Sequence, residues 1–257
     1  MPFPLIHNLY KPALSAKAAI VIDSDTQTIL FSSNPHLRFS MASTVKIMTA
    51  LVALDYYQPD SILSIKSFAT KGSGLNLQFG DRFYFNDLLY AMLLPSANDA
   101  AAAIADNYPG GREEFVLRMN EKAKDLHLSD THFSDPIGLN DDGDYSTVVD
   151  IAHLGSMAIK NEQFAQVVQT KEMLISNIDH TKEYDLLNLN KLLGIDGVNG
   201  IKTGTTEAAG EVLVTSTIQN GHTYIIVVMN SQYRFADTEQ LLEFTKENVE
   251  YVLPAVQ

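Results

Sequence analysis

Ser43-Thr44-Val45-Lys46-Ile47-Met48-Thr49-Ala50-Leu51-Val52-Ala53-Leu54 decides how the rest of the chain is read. Its apolar residues run on without glycine or proline before Pro59, the pattern of a mostly buried helix. Ser43 stands at the start, where unsatisfied amides and the positive end of the helix dipole favour negative charge. Residues three apart share one helix face, so Ser43 and Lys46 can meet. A serine hydroxyl needs a base to attack at neutral pH. Lysine is a base only when neutral, which requires burial or a second cation nearby.

Two more short motifs follow at domain-scale distances, Ser96-Ala97-Asn98 and Lys202-Thr203-Gly204. Lys202 supplies the second cation if the third motif folds back against the first. The chain holds one Ser-x-x-Lys and one Lys-Thr-Gly, whereas Ser32-Ser33-Asn34 also fits the Ser-x-Asn pattern. That extra match sits beside the turn-like Asn34-Pro35 and reads as punctuation.

Further out, residues 18–23 and 28–31 are rich in β-branched side chains and predict a hairpin. Residues 211–218 and 223–229 predict a second, because Asn220-Gly221 between them is a strong hairpin turn. A closing amphipathic helix is expected over 238–249. Between these ends the pattern turns helical at 87–92, 98–107, 112–126, 147–159 and 162–170, with Asn86 and Ser146 as expected caps. Strands at both ends around a helical middle predict an α/β (α+β) protein with a helical lobe inserted in a sheet lobe. We expect one catalytic unit, with a sheet lobe of about 1–62 plus 190–257 and a helical lobe of about 63–189. The active cleft is expected between them.

Composition narrows the function. A formal net charge of -13 and the lack of a basic stripe argue against nucleic-acid binding. With no cysteine, thiolate metal sites and cysteine nucleophiles are excluded. No apolar run is long enough to span a bilayer. Met1-Pro2-Phe3-Pro4-Leu5 lacks the basic segment and apolar core of a signal peptide, so neither a signal nor an anchor is visible. No metal is expected, since the histidines form no His-Glu-x-x-His helix and Asp141-Asp142-Gly143-Asp144 does not match an EF-hand. That acidic run reads as a solvated turn. Gly72-Ser73-Gly74 lacks the third glycine of a dinucleotide loop and a Walker lysine, so no cofactor is expected either.

The three motifs, in this order, are those of penicillin-binding proteins and class A β-lactamases. Other segments agree: Leu94-Pro95 before and Asp99-Ala100-Ala101 after the second motif, Thr131-His132-Phe133, Gly138-Leu139, Tyr145-Ser146-Thr147, and Gly200-Ile201 before the third. Over residues 18–242 the chain resembles the low-molecular-mass D-alanyl-D-alanine carboxypeptidases, penicillin-binding proteins of the S11 serine peptidase family. The resemblance implies a β-lactamase-like fold, an antiparallel sheet flanked by terminal helices with an inserted all-helical lobe. Its substrate would be a peptidoglycan stem peptide ending in D-Ala-D-Ala, with β-lactams as covalent inhibitors, in an extracytoplasmic setting.

Roles carried over by resemblance are these. Ser43 is the nucleophile and Lys46 its base; Ser96 relays a proton to the leaving amine; Asn98 orients Lys46 and holds the substrate amide. Lys202 and Thr203, with Gly204 between them and Thr205, hold the terminal carboxylate, and the amides of Ser43 and Thr205 form the oxyanion hole. Arg234 matches a carboxylate-binding arginine of the family, although a surface arginine fits the sequence equally well. Three positions depart from the family pattern: Met41 for proline, Ala97 for glycine, and Asp144 for histidine. We expect no separate C-terminal β domain of the kind that many relatives carry.

Two other functions remain open at this level. A class A β-lactamase shares serine, lysine and the third motif, but its Glu-x-x-Leu-Asn segment is not matched by Glu162-Gln163-Phe164-Ala165-Gln166. A cell-wall or β-lactam sensing module would keep the fold without turnover.

Overall fold

The structure is a computed structural model that describes residues 2–7, 11–67 and 72–253. Met1 of the opening segment, and residues 68–71 at the edge of the expected helical lobe, lie outside these. The chain begins with β1 (Phe3–Ile6), β2 (Ala18–Asp23), β3 (Ile29–Ser33) and β4 (Phe39–Ser40), then α1 (Lys46–Tyr56). The middle holds β5 (Ile62–Ser64), β6 (Arg82–Tyr84), α2 (Phe85–Leu93), α3 (Asn98–Asn107), α4 (Gly111–Asp125), β7 (Tyr145–Ser146), α5 (Val148–Ile159), α6 (Glu162–Val168), β8 (Glu172–Ser176) and β9 (Glu183–Leu187). It closes with β10 (Val198–Thr206), β11 (Gly210–Gln219), β12 (His222–Ser231), α7 (Arg234–Asn248) and β13 (Val249–Val252).

Strand alternation builds the central sheet. In β2, Ala18, Ile20 and Ile22 face one core while Ala19 and Val21 face another. In β12, Ile225, Val227 and Met229 join the first core, and Tyr224, Ile226 and Val228 the second. A strand buried on both faces needs a layer on each side. Helix α7 covers one face through Leu241 and Leu242, and α5 packs on the other. The five strands run in the order β10-β11-β12-β2-β3, every neighbour antiparallel. The expected mixed class with an antiparallel sheet is what forms. Helix α6 also packs on the sheet, against its edge strand β10, and β1 pairs with β13 apart from it. The inserted segment also carries the short pairs β5-β6 and β8-β9 among its helices.

Helix boundaries moved where side chains outbid propensity. Thr147, not Ser146, caps α5, its hydroxyl accepting the Asp150 amide at 3.2 Å, because Ser146 is already spent in β7 against Phe39. Asn86 lies inside α2, behind Tyr84. Helix α7 starts four residues early, at Arg234, whose amide donates to the Glu211 carboxylate at 2.9 Å. Buried Asp237 pins that first turn by accepting from the Ser15 amide, the Ser15 hydroxyl and the Ser231 hydroxyl.

Candidate active site

Ser43 does not open an α-helix. Residues Ala42–Val45 form a 3-10 turn, and the α-helical pattern begins at Lys46. In a 3-10 turn residues three apart eclipse, so the change brings Ser43 and Lys46 into closer register than an α-helix would. Lys46 Nζ lies 2.9 Å from Ser43 Oγ, 2.8 Å from Asn98 Oδ1 and 2.8 Å from the Ile137 carbonyl. The lysine is 0% exposed. A neutral amine has two N–H donors and one lone pair, which matches two oxygen acceptors and one hydroxyl donor.

Burial pushes Lys46 down to about 7, against the opposing pull of the Asp135 and Asp99 carboxylates. Loss of water is the largest cause acting on Lys46. Its coupling to Lys202 is seen from the other side, because burial, then the charges of Lys46 and Arg234, hold Lys202 well below the usual lysine range. Lys202 is 1% exposed, and its Nζ donates to the Thr203 carbonyl at 2.9 Å.

The second motif is set by the turn between α2 and α3. Ser96 occupies the left-handed region at φ 65°, a conformation that costs a non-glycine residue of order 1–3 kcal/mol. Its Oγ is buried with no hydrogen-bond partner among the described residues, so the turn does not join it to either lysine. Asn98, the first residue of α3, donates its amide to the Ser73 carbonyl at 2.8 Å. Asp99 holds the same strap by accepting the amides of Leu75 and Leu77.

The third motif lies on β10, an edge strand that passes beside the 3-10 turn. A Cβ on Gly204 would sit 3.1 Å from the Ser43 amide and 3.2 Å from the Met41 carbonyl, so glycine lets the two backbones approach. Thr203 is buried, and Thr205 Oγ1 donates to the Gly204 carbonyl at 2.7 Å. Arg234 reaches back over this strand, its Nη1 donating to the Gly204 carbonyl at 2.8 Å and to Thr205 Oγ1 at 2.6 Å. It is half-buried rather than a surface arginine.

Ser43, Lys46 and Asn98 thus share one hydrogen-bonded cluster, and Lys202, Thr203, Gly204, Thr205 and Arg234 form the neighbouring wall. A sequence profile described as D-alanyl-D-alanine carboxypeptidase matches residues 7–233. The chain belongs to the D-alanyl-D-alanine carboxypeptidase family. Among its relatives, the D-alanyl-D-alanine carboxypeptidase DacF of Bacillus subtilis is 33% identical over 244 residues, 90% of this chain and 62% of that protein. The D-alanyl-D-alanine endopeptidase of Escherichia coli is 32% identical over 254 residues, 95% of this chain and 82% of the relative. The crystal structure of the Streptomyces K15 DD-transpeptidase superposes with a TM-score of 0.86 at 31% identity, covering 92% of this chain and 98% of that one. The chain therefore spans less than two thirds of the length of DacF, but nearly all of the transpeptidase structure.

Sequence reasoning missed one wall of this family member's site. The Ile137 carbonyl meets Lys46 and Gly138 lies against the Ser43 turn: a Cβ on Gly138, at φ 88°, would fall 2.0 Å from the Ala42 carbonyl oxygen. Asp-Pro-x-Gly at 135–138 was a readable turn signal, but a backbone carbonyl used as a ligand leaves no mark in sequence. The acidic run beside it is not a solvated turn. Asp144 is buried, with Oδ1 accepting from the Ser134 amide at 2.6 Å and its hydroxyl at 3.0 Å. Asp141 accepts from Thr206 Oγ1 at 2.7 Å and from Ser40 Oγ, tying this loop to the strands on either side.

Proposed function

We propose that the chain is a serine-type D-Ala-D-Ala carboxypeptidase acting on peptidoglycan stem pentapeptides, and that β-lactams acylate it. The observation that carries this reading is the meeting of Ser43 Oγ, Lys46 Nζ and Asn98 Oδ1 within hydrogen-bond distance, with Lys46 and Asn98 buried. Ser43 Oγ attacks the carbonyl carbon of the penultimate D-alanine while its proton passes to Lys46. The oxyanion is held by the backbone amides of Ser43 and Thr205. As the intermediate collapses, the leaving amine takes a proton through Ser96, whose hydroxyl is free of other duties. Terminal D-alanine departs, and water hydrolyses the ester.

Carboxylate recognition falls to the β10 wall. Arg234 brings five N–H donors there, of which its Nη1 meets the Gly204 carbonyl and Thr205 Oγ1, with Lys202 and Thr203 buried alongside. An arriving carboxylate favours the charged form of Lys202, reversing the effect of burial. We place the cleft between a sheet lobe of 1–62 plus 190–257 and a helical lobe of 63–189, in one catalytic unit. The cell-wall substrate puts the enzyme outside the cytoplasm; among the described residues no helix is long and apolar enough to cross a membrane.

A β-lactamase reading has less support. Glu162 is exposed at the start of α6, and the two carboxylates that act on Lys46, Asp135 and Asp99, are occupied by backbone amides. Neither is available to activate a deacylating water. The test is incubation with a labelled penicillin, followed by intact-mass analysis and by D-alanine release from diacetyl-Lys-D-Ala-D-Ala. One long-lived adduct on the wild type, absent in Ser43→Ala, together with D-alanine release, is expected. No adduct, or an adduct that survives Ser43→Ala, refutes the reading; an adduct without release points to a sensor.

A further inference from the structure

One carboxylate organises the wall behind the lysine. Asp135 Oδ1 accepts the amides of Ile137 and Gly138, each at 2.6 Å, and Oδ2 those of Asn140 at 2.9 Å and Leu139 at 3.2 Å. Four consecutive amides pointing at one carboxylate leave the carbonyls of the same turn facing the other way. Two of them grip α1: the Ile137 carbonyl accepts from Lys46 and the Pro136 carbonyl from Thr49 Oγ1 at 2.7 Å. These acceptors engage positions one turn apart on the helix. Gly138, fixed by the same carboxylate, presses on the Ala42 carbonyl and the Ser43 amide.

We propose that Asp135 is a positioning residue for the nucleophile and its base: by gathering the 137–140 amides it aims the Ile137 carbonyl at Lys46 and seats Gly138 against the Ser43 turn. This rests on the reading of Lys46 as the base. Asp135 touches neither reacting atom and acts through the loop. Its negative charge acts as well, favouring the protonated lysine. The titratable and charged groups facing this cluster are Asp99 beside Lys46, Lys202 across the cleft, and Asp144 behind Asp135. Asp144 is pushed up to about 7 by burial and by the Asp135 charge, so removing that charge lowers Lys46 and Asp144 alike.

The experiment measures the second-order rate of benzylpenicillin acylation between pH 5 and 9 on the full chain, for the wild type, Asp135→Asn, Asp135→Glu and Asp142→Asn. The asparagine keeps the size but loses the charge and cannot accept from two of the four amides. Its plateau rate is expected to fall by about tenfold, as misplacement of a catalytic pair does. The limb of the profile is expected to move to lower pH by roughly half to one unit, as loss of a nearby opposite charge requires. Asp135→Glu keeps the charge, so its plateau should fall while its limb stays. Asp142, exposed on the same loop, should leave both unchanged on conversion to asparagine.

A lower rate in Asp135→Asn with a wild-type limb reduces Asp135 to a part of the loop's stability and overturns the proposal. So does a limb shift in Asp142→Asn as large as that in Asp135→Asn. Should Asp135→Asn fail to fold, Asp135→Glu decides, and a wild-type plateau there overturns it. A wild type that acylates at Ser43 while these variants behave as wild type refutes the positioning role alone. A wild type that does not acylate refutes the reading of the site and this inference with it.

Discussion

Lys46 and Lys202 are both stripped of water, yet the protein treats them differently. Lys46 has three oxygen neighbours within 2.9 Å, drawn from the 3-10 turn, α3 and the 134–144 loop. Lys202, among the described residues, donates to one backbone carbonyl of its own strand. A buried ammonium left with unsatisfied donors is far more expensive than a neutral amine in the same place. In the proposed function, the first lysine is held in place to take a proton from a neighbour that never leaves, and the second keeps donors in reserve for a guest that brings its own charge. Burial sets both, and the partners decide what each is for.

The difference can be broken most severely at Lys46. Lys46→Met keeps the volume but removes the base, and penicillin acylation followed by stopped flow should slow by roughly 10²–10⁴-fold. In the wild type the same rate should fall about tenfold per pH unit below about 7, because only the neutral lysine accepts a proton and its folded value lies there. A rate that is flat from pH 5 to 7 would mean that Lys46 is not the base. Gly138→Ala drives a methyl group into the Ala42 carbonyl, and we expect a loss of at least about 2 kcal/mol in urea unfolding, together with slower acylation.

On the other wall, Arg234→Ala should raise KM for a peptide with a free C-terminal carboxylate by about tenfold and leave kcat less affected, the pattern of a lost charge-assisted contact. The smallest effect sharpens the contrast most. If the guest's carboxylate restores the charge on Lys202, binding of a non-reactive D-Ala-D-Ala analogue near neutral pH takes up part of a proton, seen as a buffer-dependent heat in calorimetry. A heat independent of buffer would show that Lys202 is charged before the ligand arrives.

Most of the fold and much of the site could be read from the residues. The hairpins around residues 24–27 and Asn220-Gly221 formed where turn chemistry put them, and each helix of the middle segment lies within a few residues of its expected span. What escaped were interactions that carry no pattern. No periodicity reveals that Glu211 will start a helix 23 residues later, or that a 3-10 turn will precede α1. Asp144 looked solvated because charged runs usually are; its burial follows from Ser134 and Asp135 lying across the loop, a tertiary fact. Arg234 was undecided for the same reason, since only the return of β10 gives its guanidinium something to bind.

The sheet order has a consequence for how this molecule is made. Strand β2 pairs on one side with its sequence neighbour β3, and on the other with β12, so that Ala18 lies opposite Met229. Loops of that length close slowly, because their entropy is lost before the contacts they bring are gained. On a ribosome, Met229 must emerge before that central pair can form, while α2, α3 and α4 can already fold on one another. Until then the Gly204 strand cannot lie against the Ser43 turn. The newborn chain therefore carries Ser43 long before it carries the assembled site, which is complete only once β12 has joined β2.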